Sequence, residues 1–149
     1  MQYSKRFEAI FPWLLEWEGG YDNDPDDPGG ETNYGIDKRS HPNVDIKHLT
    51  KDGAKAIYWK SYWQAYKCED YPYPLGEVVF NCCVNAGYGR AKQFLTAGVN
   101  ANIFLNEQEA FYHRLVEAIP KSQKYLRGWL NRTNALRKWV KLDTTYVAN

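Results

Sequence analysis

The stretch EGGYDNDPDDPGGETNYGI, Glu18 to Ile36, decides how this chain is read. Upstream of it Phe7, Ile10, Phe11, Leu14 and Leu15 recur at helical spacing and make an apolar stripe. Glu18 lies eleven positions after Phe7, which at about 100° per residue brings it within roughly 20° of that stripe. Its carboxyl is therefore expected at the end of the helix but on the inward face, whereas Glu8 and Glu16 fall off the stripe. Gly19 and Gly20 are expected to end the helix by entering left-handed conformations, which glycine reaches cheaply. The acids that follow are mixed with Pro25, Pro28, Gly29 and Gly30, which is turn chemistry. Thr32 to Ile36 is β-leaning, so the segment reads as helix, loop and short hairpin.

This order of elements suits general acid catalysis. A carboxyl group at the mouth of a core is partly desolvated, which favours the protonated form near neutral pH. Asp27 follows in a polar, proline-bounded turn, where a carboxylate stays ionised. Two carboxyls whose surroundings differ in this way form the acid-plus-carboxylate pair of glycoside cleavage. Asp26 is the rival for the second place, and spacing alone favours Asp27. Read alone, Glu18 would be an ordinary acid before a Gly-Gly stop; its partners lift it above that.

Glu18, eight residues, Asp27, four residues and Thr32 together resemble the Glu–Asp–Thr constellation of phage-type lysozymes, whose second gap is usually one residue longer. The fuller string is closer still to glycosyl hydrolase family 108, the phage and bacterial N-acetylmuramidases. That family's pattern is matched by EGG, DDPGGETNYGI, Tyr62-Trp63, FNCCVNAG at Phe80–Gly87 and GWLNR at Gly128–Arg132. The chain departs from it after the VNAG helix. Members often carry there a longer segment with an Asp-Gly-x-x-Gly-like motif associated with peptidoglycan binding, and this chain has only TAGVNANIFLNEQ.

The resemblance implies an α+β, mainly α, lysozyme-like two-lobed fold in one domain spanning 1–149. A small β-hairpin lobe, about 19–37, would pack on a helical lobe, about 48–142. It also implies hydrolysis of the β-1,4 bond between N-acetylmuramic acid and N-acetylglucosamine, with peptidoglycan glycan strands as the partner and no cofactor. Glu18 would protonate the glycosidic oxygen, Asp27 would stabilise positive charge at the anomeric carbon or help activate water, and Thr32 would position that water. A retaining and an inverting mechanism both stay open, since the choice depends on the spatial separation of the carboxyls. A lytic transglycosylase and a non-catalytic peptidoglycan-binding protein are the alternatives.

Composition narrows the field. Aromatics are 16% of the 149 residues, with six Trp and twelve Tyr. Such side chains fill cores, and they also line sugar grooves, because their faces are apolar while their tips hydrogen-bond. Tyr21, Tyr34, Trp63 and Tyr88 are the groove candidates, joined by Asn85, which belongs to the VNAG string. The net charge of +1 gives no reason to expect a nucleic-acid partner. Its distribution is uneven: residues 1–37 hold nine acids against Lys5 and Arg6, and residues 118–142 hold seven bases and no acid. The basic end is read as a solvated helix face or as a contact to an anionic wall or membrane.

Cys68, Cys82 and Cys83 are odd in number, and vicinal cysteines rarely bridge, so free thiols are expected. Apolar surroundings should keep Cys82 and Cys83 inert as nucleophiles. His41, His48 and His113 have no zinc-like spacing with the cysteines. An EF-hand starting at Asp22 would need Gly at Asp27 and an acid at Asn33, so no metal site is assigned. There is no run of about 20 apolar residues and no pattern of a cleaved leader at the N-terminus. The expectation is a monomer that accumulates in a host cytoplasm and reaches the wall after release by another protein, as a phage endolysin does. A bacterial secretion-associated lysozyme fits the residues equally.

Along the chain, a helix is expected from about Ser4 to Glu18, kinked or split by Pro12. A second starts with Thr50 as its cap and carries Ala54, Ile57, Tyr58, Ser61 and Tyr62 on one face. Leu75 to Ala86 is apolar nearly all round and should be buried, with Asn81 and Asn85 one turn apart. A short helix at Arg90–Ala97 follows. Asn106 with Glu109 imitates a capping box and would start the next helix. Ser122 to Val140 reads as two helices split near Arg132–Thr133.

Overall fold

The computed structural model describes residues 2–26 and 29–144. The described fold is mainly helical with one small antiparallel hairpin, the α+β class expected. Its helices are α1 (Lys5–Trp17), α2 (Lys51–Tyr58), α3 (Leu75–Asn85), α4 (Tyr88–Leu95), α5 (Ala101–Ala118) and α6 (Gln123–Trp139). The strands are β1 (Thr32–Asn33) and β2 (Ile36–Asp37), paired Thr32 to Asp37 and Asn33 to Ile36. The chain forms two compact units, Met1–Glu69 and Asp70–Asn149.

The first unit is organised on α1. Ser4 caps it, its side chain accepting from the Phe7 amide. Phe7, Ile10, Phe11 and Leu14 are buried, whereas Glu8 and Glu16 are exposed. One continuous helix runs through Pro12 rather than two short ones. Pro12 is itself exposed, so the hydrogen bond that it forfeits lies on the solvent side. The helix exit differs from the expectation. Glu18 leaves it in extended backbone (φ −97°, ψ 140°), with its amide on the Leu15 carbonyl. Gly19 and Gly20 are not among the positive-φ glycines.

Helix α2 begins where expected, with the Thr50 side chain accepting from the Gly53 amide. It then widens into a π-helical segment, Trp59–Gln64, of the kind that often accompanies functional sites. Phe7 joins α1 to this segment, its ring 5.1 Å from Trp59 and 6.0 Å from Trp63. Phe11 meets Tyr58 at 6.0 Å, and Lys55 forms an ion pair with Glu8. Aromatic contacts of this kind supply most of the apolar burial that two short helices need.

The second unit is a helical assembly in which α3 is buried along nearly its whole length, Leu75 to Cys83. Burial pushes the Cys83 thiol up to about 12 and Cys82 higher still; both are free and buried. Two expectations fail here. Helix α5 starts at Ala101, capped by Asn100, whose side chain accepts from the Ile103 amide at 3.1 Å. Asn106 and Glu109 lie inside it and serve Arg137 instead of capping. Helix α6 also runs unbroken through Arg132 and Thr133. Both are buried: Arg132 donates to Asn81 at 3.0 Å and Thr133 to the Leu130 carbonyl at 3.0 Å. Polar residues that looked like a break are internal hydrogen-bonding groups. No described helix is long and apolar enough to cross a membrane.

Arg137 is 1% exposed and ties α6 to α5, pairing with Glu109 and donating to Asn106 at 2.9 Å and Asn134 at 3.2 Å. Removing the cation would leave the Glu109 carboxylate, whose side chain is 14% exposed, without its counter-charge. Arg137→Ala should cost about 3–5 kcal/mol, read from urea unfolding at neutral pH.

Candidate active site

Glu18 is half-buried at the exit of α1. What it faces follows from the hairpin. Tyr34 and Gly35 form the two-residue turn with φ of 53° and 78°, the left-handed pair that lets a tight turn follow the strand twist. A methyl group placed on Gly35 would meet Glu18 Oε2 at 2.7 Å and its Cδ at 2.9 Å, and would collide with the Tyr58 hydroxyl. The carboxyl and the phenol thus converge on the bare face of this glycine. Tyr58, fully buried at the end of α2, donates to the Tyr34 carbonyl at 2.7 Å.

The hairpin has too few pairs to stand alone and is held from outside. Asn33, 8% exposed, donates to the carbonyls of Ile46 at 3.1 Å and Leu49 at 3.4 Å. Ile36 is in the core. Asp22 bridges Thr32 through two 2.8 Å backbone hydrogen bonds, so Thr32 has Asp22 opposite on one side and Asp37 on the other. Directly opposed residues in antiparallel pairs share a face, so a hydroxyl stands in a row with two carboxyls. Asp37 is engaged with the amide and hydroxyl of Ser40, each at 3.2 Å, and Asp22 is exposed.

The other residues singled out by the sequence fall in different places. Asp27 lies outside the described residues. Its rival Asp26 is exposed, its amide bonded to Asp24 Oδ1 at 2.9 Å. Tyr21 is exposed on the first unit, and its hydroxyl donates to Glu31 at 2.6 Å, a bond that holds the phenol above its ordinary pKa. Trp63 is no groove residue: it is fully buried, with its indole N–H on Glu69 at 3.0 Å and the Arg6 guanidinium 5.6 Å from its ring centre. Phe7 and the π-helical turn draw it into the core.

Asn85 and Tyr88 belong to the second unit. Asn85 is exposed at the end of α3 and donates to the Tyr112 hydroxyl at 2.8 Å, which also accepts from Gln108 at 2.9 Å. Tyr88 opens α4, partly exposed, with Lys92 4.9 Å from its ring centre. Sequence reasoning missed Tyr58, which it placed only on an apolar helix face, and the pairing of Asp22 with Thr32. Nothing local marks Tyr58, since its partner is 24 residues away. Asp22 could have been found by pairing the flanks of the hairpin. Among the described residues, no group of three or more His, Cys, Asp or Glu side chains could hold a metal ion.

A solved structure of Brucella abortus SagA is similar to this chain with a TM-score of 0.72 at 23% sequence identity. The likeness covers 91% of this chain and 93% of that one, and at this identity it speaks for the fold. No curated protein matches. Residues 11–87 match the family Glycosyl hydrolase 108, more than half of the 149 residues. A lysozyme-like fold with this match is that of a glycoside hydrolase. The chain belongs to glycosyl hydrolase family 108.

The closeness of Glu18 makes Gly35 irreplaceable on two counts, its left-handed backbone and its missing side chain. Gly35→Ala should lose at least about 1–2 kcal/mol from the backbone alone. Gly19→Ala, with nothing within 4 Å of the added methyl, should stay within about 0.5 kcal/mol of the parent. Paired urea melts of the two variants make the comparison.

Proposed function

We propose that this protein is an N-acetylmuramidase that cleaves the β-1,4 bond between N-acetylmuramic acid and N-acetylglucosamine in peptidoglycan. The observation that carries this reading is the seating of the Glu18 carboxyl, half-buried, against the turn of the hairpin that bears Thr32, in a chain of this glycosidase family. Glu18 donates a proton to the glycosidic oxygen as the bond breaks. Asp27 provides the negative charge that stabilises the oxocarbenium-like centre or activates water. Thr32 orients that water. In the first unit Tyr21 and Tyr34 are the groups for glycan contact, and in the second Asn85 and Tyr88, each taken by itself.

The biological setting belongs to the same proposal. A phage endolysin, monomeric and held in the host cytoplasm until another protein releases it, agrees with this reading, as does a bacterial secretion-associated lysozyme. The exposed bases Lys121, Lys124, Arg127 and Lys138 supply the contact to an anionic wall or membrane. Arg132 and Arg137 are buried and do not add to it.

Glu18→Gln should lower turnover by about 10²–10⁴-fold with an unchanged circular dichroism spectrum. A variant keeping more than a tenth of the activity would show that another group is the acid. Asp27→Asn should be far more damaging than Asp26→Asn; equal losses would remove Asp27 from its role.

Mass spectrometry of digested sacculi checks the chemistry. Hydrolysis leaves reducing N-acetylmuramic acid ends that carry one added water. Mainly anhydro ends would make the protein a lytic transglycosylase, and reducing N-acetylglucosamine ends a glucosaminidase.

A further inference from the structure

We propose that Tyr58 is a positioning residue for the catalytic acid, an inference that rests on Glu18 being that acid. Glu18 sits one residue past the end of α1 in extended backbone, and a glutamate has three side-chain torsions to fix. Its carboxyl lies against the Gly35 face, where Oε2 comes within 2.7 Å of the point a side chain would occupy. That face stays in place only while the turn keeps its left-handed geometry, which Tyr34 adopts as a non-glycine residue at φ 53°. A turn of this kind built on tyrosine needs an external hold.

The hold is the Tyr58 hydroxyl. It donates to the Tyr34 carbonyl at 2.7 Å, on the peptide that leads into Gly35. The phenol ring is fully buried and fixed by Phe11 at 6.0 Å and Tyr62 at 5.5 Å, so the hydroxyl is a rigid post. The same hydroxyl and the Glu18 carboxyl both lie over the bare face of Gly35, so the post that holds the turn also borders the space that the carboxyl occupies. Tyr58 acts through Glu18 and through the turn, without contact to the glycan.

The test uses the full chain and soluble, uncrosslinked glycan strands, with kcat and KM determined separately. Tyr58→Phe keeps the ring and its packing and removes only the hydroxyl. Its kcat should fall about 10–100-fold, the scale of a misplacement near 1 Å, while KM stays within about twofold. Circular dichroism should be unchanged and Tm lower by a few degrees. In the Glu18→Gln background the same substitution should produce no further loss, because an effect exerted through one group disappears with that group.

Each other outcome is decisive. A Tyr58→Phe protein with kcat within about twofold of the parent, alongside an inactive Glu18→Gln protein, overturns the role of Tyr58 and leaves the acid assignment standing. Equal factors lost in both backgrounds overturn it too, by making Tyr58 general scaffold. A Glu18→Gln protein that retains parental kcat overturns the acid assignment itself, and the Tyr58 proposal with it.

Discussion

The first unit depends on one close approach, that of a helix-end carboxyl to a glycine in a hairpin turn. Neither partner could hold the position alone. The hairpin has two paired positions and one added bridge, far below what an isolated hairpin needs. Glu18 sits one residue past the end of α1, in extended backbone. The site therefore exists because the surrounding side chains fix both at once. Asn33 reaches carbonyls of the connection before α2, Ile36 enters the core, and Tyr58 grips the turn from α2. Three elements separated in sequence converge on two residues, and only glycine at position 35 leaves the space for them to do so.

The second unit is stabilised differently, by polar groups placed inside a helical core. A buried ion pair is weak evidence for stability in itself, because desolvation offsets much of the attraction. Arg137 escapes the worst of that cost by having a carboxylate and two amide oxygens as acceptors. Asn81 and Arg132 are also buried, 51 residues apart and joined at 3.0 Å. They belong to two of the strings that carried the family resemblance, FNCCVNAG and GWLNR. At least part of that pattern thus records a structural bond between α3 and α6, and need not be read as contact with substrate.

Features that depend on local chemistry were legible in the sequence. The apolar stripe on α1, the Thr50 cap, the buried helix at Leu75–Asn85 and the inward bias of Glu18 all follow from periodicity or capping. Features that depend on distant partners were not. Arg132 and Thr133 read as a helix break because pattern analysis takes polar residues to be exposed, yet both are buried. Asn106 and Glu109 have the spacing of a capping box, but their partner is Arg137 on another helix. Trp63 has the composition of a sugar platform, and only the packing of Phe7 and the π-helical turn reveals it as core. Of the candidate site, the half-buried place of Glu18 and the hairpin that it faces could be located. The Tyr58 hydroxyl on the Tyr34 carbonyl could not, for it depends entirely on where α2 ends.

The surroundings of Thr32 bear on which chemistry the proposed site performs. A transglycosylase needs an acid and a substrate hydroxyl already in place on the sugar, so groups for holding water serve no purpose there. A hydrolase must bring water to the anomeric carbon and take its proton. In this hairpin Thr32 stands between Asp22 and Asp37 on one face. A threonine hydroxyl has one proton and two lone pairs. Given to a neighbouring carboxylate, that proton leaves the lone pairs to accept from water. Asp37 already accepts two hydrogen bonds from Ser40, which makes exposed Asp22 the better placed recipient. A hydroxyl set among carboxylates can therefore hand on its proton and accept from water, and that polarity suits an attacking water, which must present its oxygen to carbon and its hydrogens to the protein.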